Sequence, residues 1–388
     1  MLSYRISFAL TFSIAFYLLA FGNVLAAPVI SGVNGKLDHG HMIQIKGSGF
    51  GVKDPAEPLL WAPFEGSADP SPLGIVTSWS YLQNMEYRPA EGIKGSGALG
   101  SIVTGQQSNN ARIDAVGFAW NDYNQKMYLH RKIKKTIAVD GSFNHKMLRT
   151  WTGGSPDITG FAYESYNGAI YASLLNESPR PEGVSIGGWM GNREYVQVNP
   201  NKWRTDEIWQ VANSSTEEYD GILEIYGNGP DGYGAVPMSR AGGLPYIRSY
   251  DGQQMTWKLR DDTDRGSRDV VQFYAVHCQS QNMTGLLPED YRAWADNVYL
   301  DTTWARVMIG DKPSFYESTL REIQIPASWS STGIEVTVNT GEFPTGKDVY
   351  IFVVDADGKP SPGFGPLSVG MTDYDYSYPP QGLQIFIQ

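Results

Sequence analysis

Three short stretches of the chain alternate aromatic and hydrogen-bonding residues in a way that suits sugar recognition. In Lys146-Met147-Leu148-Arg149-Thr150-Trp151, Arg149 and Trp151 are two apart, and on an extended strand such residues share a face. Arg204, Asp206 and Gln210 likewise share a face, opposite Trp203, Glu207 and Trp209. Gln272, Tyr274 and Val276 oppose Phe273, Ala275 and His277, so a regular strand puts Gln272 and His277 on opposite faces. Aromatic rings stack on pyranose faces, while Arg, Gln and Asn bond the hydroxyls. The candidate ligand-binding residues are therefore Arg149, Trp151, Arg204, Gln210 and Tyr274. A single tryptophan in such a pattern is more often a core residue between sheets. The sugar reading rests on the number of aromatics that alternate with Arg, Gln and Asp.

Other chemically capable residues read less sharply. His39 and His41 stand at a strand entrance with no Cys nearby. Zinc would need further ligands there, and a solvated turn is expected. The only cysteine, Cys278, lies in the apolar stretch 270–278; no intramolecular disulfide can form, and a buried inert thiol is expected. The basic patch Lys132 to Lys135 reads as a solvated strand edge. Asp261-Asp262-Thr263-Asp264 reads as a solvated acidic loop. Asn176, Asn213 and Asn282 begin glycosylation-like triplets, a pattern frequent by chance.

These residues must be positioned by strands. The sequence holds 43 Gly, 23 Pro, 23 Tyr and 11 Trp with few charges, a composition suited to short strands and tight turns. Val298 to Leu300, Leu223 to Tyr226, Ile334 to Val338 and Val349 to Val354 read as strands. Asp357-Gly358 is a hairpin signal, with weaker ones at Asp140-Gly141 and Asp220-Gly221. The best helical candidate, Pro288 to Trp294, amounts to one turn before a strand. No short repeat recurs at fixed spacing, so neither solenoid nor propeller is expected.

The N-terminus reads as an export signal. Arg5 precedes an uncharged apolar run from Ile6 to Phe21, and Val24-Leu25-Ala26 suits cleavage after Ala26 rather than before Pro28. The run is short for a bilayer span, and no second run of spanning length follows. Residues 1–26 are thus expected to be removed, leaving an exported protein at the cell surface, outside the cell or in the periplasm, with no membrane span. The net charge of −11 with no basic cluster argues against nucleic acid, whose phosphates require Lys and Arg.

The two ends of the mature chain carry a resemblance. Pro28-Val29-Ile30-Ser31-Gly32 is followed by Gly40 to Gly51, which closes in Gly47-Ser48-Gly49-Phe50-Gly51. This resembles the opening of IPT/TIG immunoglobulin-like domains, where glycines permit the positive φ of a strand corner. That family continues with an Ile-Gly strand, a Trp-Ser-x-Thr segment and a final hairpin. Here the matching pieces are Arg306 to Gly310, Trp329 to Val336, and Val349 to Gly358. The resemblance therefore implies a domain in two parts, 27–58 and 303–370, with a second domain inserted at 59–302. Residues 371–388 form a tail or an extra strand, and could instead pair with a second copy or another surface protein.

The insert resembles concanavalin A-like jelly rolls, a group that includes laminin-G-like domains. The resemblance rests on the Trp/Glu-rich Trp203 to Gln210 followed by the Asp-Gly hairpin Tyr219 to Tyr226. It implies a two-sheet sandwich with one concave face. Such domains often hold structural calcium where first and last strands meet, and Glu65 and Asp296 occupy those places. Alginate-lyase-type jelly rolls combine Arg, Gln, His and Tyr to neutralise a uronate and remove its C5 proton. The closest pieces here are Arg149, Gln272, Tyr274 and His277, but the family's compact Gln-x-His strand is absent. The Glu-x-Asp-x-x-Glu strand of glucanases is absent too, and Asp206 and Glu207 fall on opposite faces.

The expected fold is all-β, an immunoglobulin-like β-sandwich interrupted by a larger jelly-roll β-sandwich. The expected function is non-catalytic binding of a polysaccharide or surface glycan on the concave face. The alternatives are a structural protein of a cell-surface assembly or filament and an atypical polysaccharide lyase or hydrolase.

Overall fold

The computed structural model describes residues 27–65, 71–102, 111–120, 126–136, 143–152, 159–166, 169–175, 189–190, 201–211, 222–228, 271–282, 292–370 and 374–377. The expected signal peptide 1–26, the turns at 140–141 and 220–221, the acidic loop 261–264 and the candidate turn 288–291 lie outside the described residues. So do the triplets at Asn176 and Asn213 and the tail beyond Ser377. The fold is all-β. One turn of 3-10 helix spans Ile93–Gly95, and no helix among the described residues is long and apolar enough to cross a membrane.

The first sheet is built from both ends of the chain. Its strands are β1 (Val29–Gly35), β2 (Met42–Ser48), β17 (Arg306–Gly310), β18 (Arg321–Trp329), β19 (Gly333–Thr337), β20 (Asp348–Val354), β21 (Phe364–Ser368) and β22 (Tyr374–Ser377). Their order is β21-β20-β17-β18-β19-β2-β1-β22. Strand β18 turns the sheet back on itself. Residues Arg321 to Gln324 pair with β17, whereas Ile325 to Trp329 pair with β19. The two halves can therefore face each other as a sandwich. Alternate residues of β2 and β19 point inward, so Ile43, Ile45, Ile334 and Val336 meet Val307, Ile309 and Ile351 in one core.

The glycine corner after β2 has a steric cause. A Cβ at Gly47 would lie 2.0 Å from the Val29 carbonyl oxygen, and Gly49 and Gly51 both sit at φ 72°, a region that glycine enters at no steric cost. Phe50 between them is buried, and its carbonyl accepts from Trp329 Nε1 at 3.3 Å. Residues on either side of the long insert thus close one corner. At the other end, the Asp357-Gly358 turn forms as expected, with Asp355 Oδ1 accepting from the backbone N–H groups of Asp357 and Lys359. The described part of the tail, β22, pairs with β1 of its own chain.

The strands between β2 and β17 form two further sheets. One runs β12-β11-β10-β9-β15-β7-β4, comprising Trp189–Met190, Ala169–Leu175, Thr159–Tyr166, Phe143–Thr152, Val271–Asn282, Ala111–Trp120 and Tyr81–Gln83. The other runs β14-β13-β8-β16-β6-β5, comprising Ile222–Asn228, Arg204–Val211, Lys126–Lys135, Ala293–Asp301, Ala98–Ser101 and Met85–Arg88, with β3 (Leu60–Ala62) pairing β16. The first and last insert strands therefore lie side by side.

Strands β8 and β13 have two buried faces. Leu129 stands opposite Ile208 and Arg131 opposite Asp206, whereas Tyr128 stands opposite Trp209 and His130 opposite Glu207. Tyr128, Trp209 and Tyr299 pack against Trp304, Met308, Phe315 and Phe352 of the first domain. Strand β8 lies between β13 and β16. The expectation of a solvated edge at Lys132 to Lys135 is thereby corrected, because Lys132 and Lys135 are fully buried on a central strand.

Candidate functional site

Register gathers most of the expected ligand residues on the sheet that contains β9 and β15. Arg149 stands opposite Tyr274, and Trp151 opposite Gln272. On the β10 side their partners are Ala162 and Gly160. On the β7 side Tyr274 and Gln272 stand opposite Gly117 and Ala119. Directly opposed residues share a face, so Arg149, Trp151, Gln272 and Tyr274 form one patch.

His277 joins this patch through an irregularity that alternation alone does not reveal. The β15–β7 register shifts between Tyr274 and Val276, and His277 stands opposite Ala115. Ala115, Gly117 and Ala119 lie two apart on β7, so His277 shares the face of Tyr274 and Gln272. A bulge inserts one extra residue and so reverses the parity of the strand beyond it. The expectation that Gln272 and His277 fall on opposite faces is corrected accordingly.

Val116 and Gly117, which fall on opposite faces of β7, are both buried. Val276 stands opposite Val116, which is fully buried. Phe273 stands opposite Phe118 and Thr150 on that same face. Cys278, opposite Asp114, falls on the register face of Val276.

Arg204 and Gln210 lie elsewhere. Arg204 is buried, and its Nε donates to Asp206 Oδ1 at 2.8 Å. Arg131 Nη2 donates to Asp206 Oδ2 at 3.1 Å, with both side chains fully shielded. Arg204 is therefore held inside the sandwich rather than on an open face. Gln210 lies on the same register face as Ile208, which is fully buried. Arg204 and Asp206, two apart on β13, are both buried.

The other side of β13 carries a charged cluster at the domain junction that sequence reading missed. Arg306 lies between the rings of Tyr128 and Trp209, 4.0 Å from each centroid. Arg321 Nε donates to Glu207 Oε1 at 2.7 Å, and Tyr128 donates to Glu207 Oε2 at 3.2 Å. Lys132 Nζ donates to Glu322 and Glu342, at 2.7 Å each. Burial alone would raise the Glu207 carboxyl, but Arg321 and Arg306 outweigh it and hold it below its ordinary value. Burial would lower Lys132, and Glu322 and Glu342 reverse that. At neighbouring His130, burial and then the Lys132 charge push the imidazole down to about 4, so it is neutral at pH 7. These groups tie strands β8 and β13 to strands β17 and β18.

The expected calcium ligands, Glu65 and Asp296, are both hydrogen-bonded to nitrogen donors. Asp296 Oδ2 accepts from the Ile93 N–H at 2.9 Å, and Oδ1 from the Asn297 N–H at 2.7 Å. Glu65 Oε2 is 2.8 Å from His39 Nε2. Among the described residues no group of three His, Cys, Asp or Glu could hold a metal. Burial instead pushes the Asp296 carboxyl up to about 7, and Glu65 adds to that shift. His39 is raised by Glu65, so the turn pairs with the insert rather than being merely solvated.

No protein-family model and no curated protein matches the sequence. Among solved structures, a marine PL-14 alginate lyase from Aplysia kurodai is similar at 11% identity and TM-score 0.37, covering 56% of this chain and 86% of that one. The cellulose-induced protein Cip1 is similar at 10% identity and TM-score 0.30, covering 58% and 91%. The receptor-binding domain of botulinum neurotoxin type G is similar at 8% identity and TM-score 0.34, covering 82% and 81%.

Proposed function

We propose that this chain is an exported protein that binds polysaccharide on the β9–β15 face of its inserted sandwich. The observation that carries this reading is the register, which sets Arg149 beside Tyr274 and Trp151 beside Gln272 on the face opposite buried Val116. Trp151 and Tyr274 supply stacking surfaces, while Arg149 and Gln272 supply donors and acceptors for sugar oxygens. The first domain, which resembles IPT/TIG domains at its opening corner, serves as a rigid support. Export rests on the apolar run and small-residue exit at the N-terminus.

The test is native electrophoresis through gels containing neutral or uronic-acid polysaccharides. One polymer should retard the protein, and Trp151→Ala should weaken the retardation while the melting temperature holds. Equal mobility in every gel would refute the reading.

A second reading is favoured by the β15 bulge. It puts His277 on the face of Arg149, Gln272 and Tyr274, the residue types that eliminate across a uronate. There Arg149 and Gln272 would stabilise the carboxylate as Tyr274 or His277 takes the C5 proton. The electron pair left at C5 forms the C4–C5 double bond, the C4–O bond breaks, and the leaving oxygen is protonated. Growth of ultraviolet absorbance from an unsaturated product would establish it; retardation without new chain ends would leave binding alone.

A further inference from the structure

Strand β8 opens toward solvent at its C-terminal end. Lys132 is fully buried, whereas Lys134, two residues on and on the same face, is half-buried. Register sets Trp294 of β16 opposite Lys134. Lys134 Nζ sits over two indole rings, 4.6 Å from the Trp203 centroid and 4.5 Å from that of Trp294. It donates to the Glu91 carbonyl at 3.0 Å, and Trp294 Nε1 donates to Glu91 Oε2 at 2.6 Å. One of the three ammonium donors thus meets an oxygen among the described residues.

A second cation lies beside this cluster. The Arg292 N–H donates to Thr136 Oγ1 at 2.9 Å, and the Arg292 carbonyl accepts from the Thr136 N–H at 3.0 Å. Thr136 and Lys134 are two apart, as are Arg292 and Trp294, so all four share one face and Arg292 stands diagonal to Lys134. Arg292 Nη1 is buried and has no hydrogen-bond partner among the described residues. A buried charged donor left unsatisfied costs free energy, and the oxygen of an anion relieves that cost. Trp203 and Arg292 are half-buried, and Glu91, Asn201 and Lys202 are exposed, so the cluster reaches the surface.

We propose that this cluster binds one acidic sugar residue, a uronate whose carboxylate is held between Lys134 and Arg292 and whose ring lies against Trp203. The site shares no residue with the β9–β15 face and does not rest on binding there. Two neighbouring cations take a carboxylate through charge-assisted hydrogen bonds, and an indole takes the apolar face of a pyranose. The Glu91 carboxylate, bound to Trp294 Nε1, repels a second anion from its own side. The ligand carboxylate therefore belongs on the Arg292 side of Lys134. A neutral sugar would leave Arg292 Nη1 unpaired. A single sugar with one carboxylate is expected to bind in roughly the millimolar range, too weakly to slow the protein in a gel.

The test is nuclear magnetic resonance of the isotope-labelled mature protein, titrated separately with methyl glucuronide, methyl glucoside and sodium sulfate. The Trp203 indole N–H signal is identified by its loss in Trp203→Phe. The glucuronide should shift that signal saturably. Arg292→Gln should weaken binding about tenfold and keep the melting temperature, since it removes a charge that has no partner. Lys134→Gln should weaken binding too; if that variant does not fold, Arg292→Gln decides alone. Trp151→Ala should leave the titration unchanged. A glucoside that shifts the signal equally, or an Arg292 variant that binds like the parent, would overturn the proposal. Sulfate binding as tightly as the glucuronide would mean an adventitious ion only. Absence of any shift with the glucuronide refutes the site whatever the polysaccharide gels show, and loss of the shift in Trp151→Ala would move the ligand to the β9–β15 face.

Discussion

Two arginines that look alike in sequence meet opposite fates. Arg149 and Arg204 each sit next to or two residues from a tryptophan in an alternating stretch. Arg204 shares a buried face with Asp206, and the Arg131–Asp206 pair completes the arrangement between the sheets. Arg149 stands opposite Ala162 and Tyr274, neither of which carries charge. The difference lies in what the register sets opposite each side chain, not in the residue or its local spacing. The domain junction extends this contrast. Its cations and carboxylates are paired in dry surroundings and serve cohesion, whereas the proposed ligand face sets Arg149 and Trp151 opposite Ala162 and Gly160.

The largest expected effect is at the junction. Glu207→Ala removes the carboxylate that Arg321 binds at 2.7 Å, and breaking a buried pair in this way costs about 3–5 kcal/mol. Denaturant unfolding should show that loss with both domains affected, because Glu207 and Arg321 belong to different domains.

A somewhat smaller effect concerns pH. The Asp296 carboxyl is raised from 3.8 to about 7, so the folded state binds the extra proton between those values and stability falls as pH rises through them. His130 is lowered from 6.5 to about 4, so the unfolded state binds the extra proton there and stability rises over that window. The two slopes oppose each other between pH 4 and 6.5. Asp296→Asn should uncover the rise and His130→Gln the fall, each on the order of 3 kcal/mol. Melting curves at stepped pH would check this; variants with the parent profile would contradict it.

On the ligand face the effects are smaller in energy and fall on binding rather than stability. Trp151→Ala should weaken polysaccharide binding about tenfold, near 1.4 kcal/mol, with little change in melting temperature. The smallest effect is expected at Lys126 and Asp357, a pair 3.5 Å apart and largely exposed. Asp357→Asn should change stability by less than about 1 kcal/mol, and less still in high salt.

Much of the fold was legible from local pattern. Strands such as Ile334 to Val338 and Val349 to Val354 announce themselves by alternation, and Gly49 and Gly51 mark a corner that only glycine makes easily. The ligand face was half legible. Arg149, Trp151 and Tyr274 were identifiable as strand residues, but their meeting depends on pairing between segments more than a hundred residues apart. The place of His277 depends on a bulge that leaves no mark in alternation. Lys132 reads as a surface residue because its partners, Glu322 and Glu342, lie nearly two hundred residues or more further on. Glu65 and Asp296 are bonded by His39 and by the Ile93 and Asn297 N–H groups, and the His39 and Ile93 contacts join segments far apart in sequence.

The most direct test of the contrast compares Arg149→Ala and Arg204→Ala with the parent protein, measuring retardation in polysaccharide gels and melting temperature on the same preparations. Arg149→Ala should lose retardation and keep its melting temperature, while Arg204→Ala should melt lower and keep retardation. Retained binding by the Arg149 variant, or lost binding by a stably folded Arg204 variant, would contradict the assignment of the ligand face.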